Sequence, residues 1–206
     1  MANKHKGIMG RSDIPLAQRL QMQRQAEIVN VRNKAAQVVM FCDAVALNEV
    51  EGIGYKQLVR YSLHFKEVVD EFYEDPEVGM AHAMRRMEQM GRPISGEYFM
   101  VDPTGKSLRE LEKANHAMQA AQIAKICAAI AKNDFFGYAQ KRQDRVDARS
   151  REVAAEYKAK GMGYLLDKMK KIGFLVVDGE VRAFLNDDDQ PITPKQAQKE
   201  GIVWDL

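Results

Sequence analysis

The chain has 206 residues, of which 46% are hydrophobic and 29% charged, and its formal net charge is +2 at pH 7. This composition belongs to a globular protein and excludes collagen, a disulfide framework and a disordered polymer. No apolar run approaches the roughly 18 residues of a membrane span, and Cys42 and Cys127 form no CxxC pair. We therefore expect a soluble, cytoplasmic protein.

The small net charge conceals blocks of opposite sign. Residues 1–38 hold seven basic and two acidic side chains, and residues 43–79 hold nine acidic and three basic ones. Residues 134–171 are again basic, and residues 178–206 are again acidic. Such blocks suit a protein that docks on itself or on a charged partner. The alternative is that they are solvated helix faces whose signs happen to cluster.

An internal repeat organises the chain. When the sequence is shifted by 85 positions, residues 30–72 fall on 115–157 with 14 identities among 43 pairs. Further on, the match resumes with a shift of 82 positions, where Gly91 falls on Gly173. A match of this length predicts a tandem duplication. We expect a basic flexible N-terminal arm at 1–14, repeat units at 15–104 and 105–187, and a C-terminal tail at 188–206.

Within each unit the hydrophobic spacing predicts three helices and a short hairpin. The predicted first helices cover 15–48 and 106–133, the second 54–74 and 138–159, and the third 78–90 and 162–172. Asn48 and Gly52, with their counterparts Asn133 and Gly137, fall where the first helices must end. Pro76, Gly91, Gly161 and Gly173 mark the limits of the third helices.

Two further elements follow the last predicted helix. Residues 174–184 alternate on both sides of Asp178-Gly179, which predicts a hairpin with a type I′ turn. Residues 93–101 form a weaker version of the same pattern. Thr193-Pro194 resembles an N-cap and first helical position and predicts a short helix to Lys199. The predicted fold class is mainly α with small β-hairpins.

Basic residues at the start of the second helices are the candidate partner-binding set. Lys56 and Arg60 recur as Lys141 and Arg145, four residues apart and hence on one helix face. Either they pair with acidic residues of the first helices, such as Glu49 or Asp134, or each unit presents them to a partner. The full candidate set is Lys56, Arg60, Lys141, Arg142, Arg145 and Arg149.

Chemical motifs give little support to an enzyme. The two cysteines stand among apolar residues, which favours inert buried thiols. His64, Glu67, Glu71 and His82 are spaced as a conceivable metal site, but the second unit does not repeat it. No phosphate-binding, dinucleotide-binding or zinc-protease motif occurs. We expect no catalysis, no cofactor and no metal site.

Residues Gly163-Tyr-Leu-Leu-Asp-Lys-Met-Lys-Lys-Ile-Gly173, followed by 174–184, resemble the last helix and wing of winged-helix domains. This resemblance implies that the helix enters the major groove of DNA and that the hairpin touches phosphates. The residues that it implicates in nucleic-acid binding are Lys168, Lys170, Lys171 and Arg182.

The stretch Asn133-Asp-Phe-Phe-Gly-Tyr-Ala-Gln-Lys-Arg142 and its counterpart 48–56 resemble uncharacterised small helical proteins of phages and prophages of Gram-positive bacteria. This resemblance implies a protein that binds a host macromolecule, for example as an inhibitor of a defence system. We expect a non-enzymatic interaction protein with a protein partner, and a homodimer is compatible with its opposite charges. The alternative is a nucleic-acid-binding regulator of winged-helix type that uses the second unit.

Overall fold

A computed structural model of the chain describes residues 15–94, 104–186, 188 and 190–199. This part of the chain is mainly helical with one small hairpin, which confirms the predicted fold class. The helices are α1 (Leu16–Glu51), α2 (Tyr55–Glu74), α3 (Pro76–Gln89), α4 (Leu108–Phe136), α5 (Gln140–Lys160), α6 (Met162–Ile172) and α7 (Pro194–Lys199). The strands are β1 (Leu175–Val177) and β2 (Glu180–Arg182). No described helix is long and apolar enough to span a bilayer.

The first helix of each half runs three residues beyond its predicted end. Asn48 does not stop α1, because its side chain donates instead to the carbonyl of Ile53 at 3.0 Å. The helix ends at Gly52, whose φ of 67° lies in the left-handed region that glycine adopts without strain. Asn133 and Gly137 repeat this arrangement at the end of α4, where φ is 66°.

Capping also moves the start of α3 from 78 to Pro76. The Asp75 carboxylate accepts from the backbone N–H groups of Glu77 and Val78, both at 3.2 Å. Proline fits the first helical position, since its missing N–H would be unpaired there. At the other end of the helix, Gly91 follows with a φ of 70°, as its predicted role requires.

The predicted hairpin and the predicted C-terminal helix are both confirmed. Val177 pairs with Glu180 across the turn, and both Asp178 and Gly179 have a positive φ, as a type I′ turn demands. The Thr193 hydroxyl accepts from the Gln196 N–H, and the Gln196 side chain accepts from the Thr193 N–H. These two bonds close a capping box at the start of α7.

The two halves of the chain interlock. The buried C-terminal parts of α1 and α4 pack on each other at the centre. Helix α1 then packs on α5 and α6 of the other half, whereas α4 packs on α2 and α3. Each first helix therefore finds its main neighbours in the opposite half, and the chain has one shared core. The evolutionary duplication remains a prediction from the sequence.

Several predicted segments lie outside the described residues. These are the basic arm at 1–14, most of the hairpin-like segment at 93–101 and the end of the C-terminal tail.

Candidate functional site

Residues from four helices form a buried charged cluster in the shared core. Lys132 of α4 is 1% exposed, and its ammonium donates to Asp43 of α1 at 2.6 Å and to Asp147 of α5 at 2.8 Å. The hydroxyl of Tyr61, on α2, donates to the same Asp43 oxygen at 2.9 Å. A buried charge is tolerated when it is paired in this way.

Arg92, just after α3, extends the cluster towards the surface. Its guanidinium donates to Gln143 and to Asp147, each at 2.6 Å. The Gln143 amide in turn donates to the carbonyls of Ala129 and Tyr138. The cluster thus ties α1, α2, α4, α5 and the end of α3 together. We define the charged cluster as Asp43, Tyr61, Arg92, Lys132, Gln143 and Asp147.

The electrostatics of the charged cluster favour the ionised forms of Lys132 and Asp147 and the neutral form of Tyr61. Burial alone would lower the pKa of Lys132, but Asp43 and Asp147 outweigh burial and raise it above its usual 10.5. Burial alone would raise the pKa of Asp147, but Lys132 and Arg92 outweigh burial and lower it. The pKa of Tyr61 is raised, first by its burial and then by the neighbouring Asp43 carboxylate. Lys132 is therefore a charged structural group rather than a neutral base.

Three of the predicted partner-binding cations are engaged within the chain. Arg142 and Arg145 both pair with Glu51 at the end of α1, at 2.6 and 2.9 Å. Arg149 pairs with Glu49 at 2.7 Å and also with acidic residues of its own helix. Of the four residues to which the ion-pair interpretation applied, only Arg145 pairs with an acidic residue of a first helix in the described part of the chain, and that residue is Glu51. Glu49 pairs instead with Arg149.

The other three predicted partner-binding cations are exposed. Arg60 donates to the Gln190 side chain at 2.9 Å, which joins α2 to the segment before α7. Lys56 and Lys141 have no hydrogen-bond or ion-pair partner among the described residues. Their role in binding a partner remains a prediction.

Of the four residues implicated by the winged-helix resemblance, two form ion pairs within the chain and two are exposed. Lys168 pairs with Glu49 at 2.5 Å, and Arg182 pairs with Glu180 on its own strand at 3.2 Å. Lys170 and Lys171 are exposed on α6, and no described residue pairs with them. Helices α5 and α6 are joined by Gly161 alone, whereas a helix-turn-helix has a turn of three or four residues.

The two cysteines are buried, and the conceivable metal ligands are not grouped within the described part of the chain. Burial raises the pKa of Cys42 and of Cys127 to about 12, so neither is a ready nucleophile. His64 lies 3.2 Å from Glu67 and 3.8 Å from Asp134. Among the described residues, no three histidine, cysteine or acidic side chains are grouped as a metal site requires.

A second notable feature is an exposed helical arm, defined as residues 16–37 of α1 and 108–119 of α4. Burial begins only at Val39 in α1 and at Ala120 in α4. The two helices enclose a groove of about 660 Å³. Several large apolar side chains of the arm are exposed, and the exposed fraction of Leu108 is 87%. The other exposed apolar side chains of the arm are Leu16, Leu20, Met22 and Val29.

Ion pairs join the two helices of the arm. Arg24 donates to Glu112, and Arg109 donates to Glu27 at 2.7 Å. The arm nevertheless holds six basic and three acidic side chains, so a positive surplus remains.

The charged cluster was not predicted from the sequence. A usable signal was present in the repeat: Lys132 and Gln143 occupy the positions of Leu47 and Leu58, which are fully buried. A charged residue at a position that is apolar in the other copy predicts a buried polar contact.

Comparison of the chain with protein-family models, with curated proteins and with solved structures finds no match.

Proposed function

We propose that the protein is a non-enzymatic interaction protein that binds an acidic protein surface through the helical arm. The observation that carries this proposal is the exposure of apolar side chains along two paired helices, from Leu16 at 65% to Leu108 at 87%. Exposing these side chains to water is unfavourable unless another surface covers them. Within the described residues, nothing packs over this end of the arm.

The shape and charge of the arm suggest what kind of partner fits. Its groove runs between α1 and α4, and an amphipathic helix can lay its apolar face into such a groove. The basic surplus favours acidic residues beside that apolar face. A host target and a phage origin agree with this role and remain proposals that rest on the sequence resemblance.

Site-specific photo-crosslinking tests this proposal directly. A benzophenone amino acid is introduced at Leu20 or at Leu108, and the matched control places it at Val78 of α3, which is 61% exposed. We expect one protein to be crosslinked at both arm positions and not at Val78. Equal crosslinking at Val78, or none at the arm, would contradict the proposal.

Binding to the purified partner then tests the chemistry. Leu20→Asp and Leu108→Asp should each weaken binding at least tenfold, because each places a carboxylate in the apolar contact. Val78→Asp is the control. If the crosslinked protein is a second copy of the chain, the arm is a dimer interface, which the mass in solution distinguishes.

Nucleic-acid binding is the second candidate function, because α6 is followed by a hairpin and carries Lys170 and Lys171, which pair with no residue in the described part of the chain. Fluorescence anisotropy with duplex DNA at two salt concentrations tests it, since phosphate contacts weaken as salt rises. Lys170→Glu with Lys171→Glu should abolish binding. Lys168 is left unchanged, because it pairs with Glu49. Unchanged affinity in the double variant would reject this interface.

A further inference from the structure

A cavity of about 290 Å³ opens beside the charged cluster, away from the helical arm. Its size lies at the lower end of the range of small-molecule sites, roughly 300 Å³ upward. Apolar side chains from three helices line much of it, among them Val39 of α1, Ile126 and Ala129 of α4 and Ala154 of α5. An apolar wall with a few polar groups is the usual make-up of a ligand site.

The charges around the cavity do not cancel. Four basic and two acidic side chains line it, which leaves a surplus of two positive charges. Lys132 and Arg92 are already paired with Asp43 and Asp147. The surplus therefore belongs to Lys125 and Arg151, which are exposed at the rim and have no partner among the described residues.

The charged cluster is built by residues of both halves, but it stands at only one of the two places that the repeat makes equivalent. The positions equivalent to Asp43, Lys132 and Asp147 hold Ala128, Leu47 and Ser62. Tyr61, Gln143 and Arg92 correspond likewise to Val146, Leu58 and Phe174. An apolar core is generally at least as stable as a buried ion-pair network. The sequence thus retains a costly arrangement at the one of these two places where the cavity opens, and stability alone does not account for it.

We propose that this cavity binds a small organic anion, with its apolar body among Val39, Ile126 and Ala129 and its carboxylate or phosphate at Lys125 and Arg151. The two rim cations supply charge-assisted hydrogen bonds to the head group. The charged cluster, which is already paired, holds the cavity walls in place. This site is separate from the helical arm and does not depend on the proposed function.

Three probes of six carbon atoms each, which differ in the charge of the head group, test the charge preference. Hexanoate, hexylamine and 1-hexanol are titrated into the full chain by calorimetry, and methyl NMR shifts of Val39 and Ile126 report the location. We expect hexanoate to bind at least tenfold more tightly than the other two. Equal binding of all three, no binding of any, or shifts elsewhere in the chain would overturn the proposal.

Variants at the rim and the wall complete the test. Lys125→Gln with Arg151→Gln should weaken hexanoate binding at least tenfold, whereas the charge-matched control Lys158→Gln with Lys195→Gln, at two exposed lysines outside the cavity, should leave it unchanged. Ala154→Leu fills the cavity from a half-buried position and should abolish binding while the circular dichroism spectrum stays that of the wild type. Undiminished binding in either the rim or the wall variant would also overturn the proposal.

Discussion

Arg24 and Arg109 lie 85 positions apart in the chain, and each donates to the glutamate three residues beyond the other. Arg24 pairs with Glu112, and Arg109 pairs with Glu27. Two contacts of the same kind thus cross between the halves in opposite directions. A two-fold arrangement of two similar units produces reciprocal pairs of this kind.

The same reciprocity recurs at the other end of the long helices. Glu49 accepts from Arg149 and Lys168, and its counterpart Asp134 faces His64 and Arg86 at the corresponding positions. All of these contacts join one half to the other. The two halves are therefore joined by ion pairs near the surface as well as by a shared core.

We expect neither half to fold alone. Residues 1–104 and 105–206, produced separately, should each lack a cooperative unfolding transition, because α1 and α4 lose the helices of the other half on which they pack. Produced together, they should form a one-to-one complex with the circular dichroism spectrum of the whole chain. A stable monomer of either fragment would contradict the interlocked fold, and sedimentation of each sample provides the measurement.

Replacing His64 by arginine should stabilise the protein slightly. The Nε2 atom of His64 is buried without a hydrogen-bond partner, 3.8 Å from Asp134, whereas Arg149 at the equivalent position contacts Glu49 at 2.7 Å. His64→Arg should raise the free energy of unfolding by about 0.5 kcal/mol, as for a partly exposed pair. Urea denaturation measures this, and the gain should vanish when Asp134 is changed to Asn.

Removing the Lys132 charge alone should be severely destabilising. Lys132→Leu leaves Asp43 and Asp147 without their buried partner, which costs about 3–5 kcal/mol in comparable pairs. Adding Asp43→Ala, Asp147→Ser and Tyr61→Phe removes the unpaired groups and should recover at least half of that loss. Urea denaturation of the single and fourfold variants provides the comparison. If the fourfold variant is the less stable of the two, the penalty does not come from unpaired charge.

The fourfold variant should also change the response to acid. The pKa of Asp147 is lower in the folded protein than its ordinary 3.8, so its ionised form contributes stability above that pH. This contribution is lost as the pH falls through the lowered value. Between about pH 6 and about pH 3 the wild type should therefore lose more unfolding free energy than the fourfold variant. Parallel curves for the two proteins would contradict the pairing.

Both thiols should resist modification in the folded protein. Burial raises the pKa of Cys42 and of Cys127 to about 12, and each side chain is at most 2% exposed. A thiol reagent such as Ellman's reagent should therefore react slowly in buffer and with two thiols per chain in guanidinium. Fast reaction of one thiol in buffer would show that its surroundings open readily.

Local signals made most of the helices and the hairpin predictable. Gly52 and Gly137 lie directly after the first helices in the left-handed conformation that glycine commonly adopts there, and Asp178-Gly179 forms the predicted turn. The predicted ends at Asn48 and Asn133 were wrong by three residues, because these side chains bond to carbonyls beyond the helix rather than stopping it. Which carbonyl an asparagine side chain reaches depends on the path of the backbone after the helix, and this path is not visible in the sequence.

The pairing between halves could be predicted only in part. Glu49 and Asp134 were predicted as possible ion partners of the basic residues at the start of the second helices, but they pair with other residues, Glu49 with Arg149 and Asp134 with Arg86. Lys132 and Asp147 were not predicted as core residues, because charged side chains mostly lie in solvent. These two residues are buried because α1, α4 and α5 pack on one another. The hydrophobic periodicity of a single helix does not show which other helices pack on it.

The interlocked packing also constrains the order of folding during synthesis. When α1 to α3 have been synthesised, Phe41 and Val45 of α1 are not yet covered by α4 and α5. The residues of these two helices are translated up to 119 positions later. Contacts between such distant parts of a chain form slowly and leave apolar surface exposed meanwhile. The nascent first half is therefore a natural client for chaperones, and a premature stop before α5 yields an aggregation-prone product.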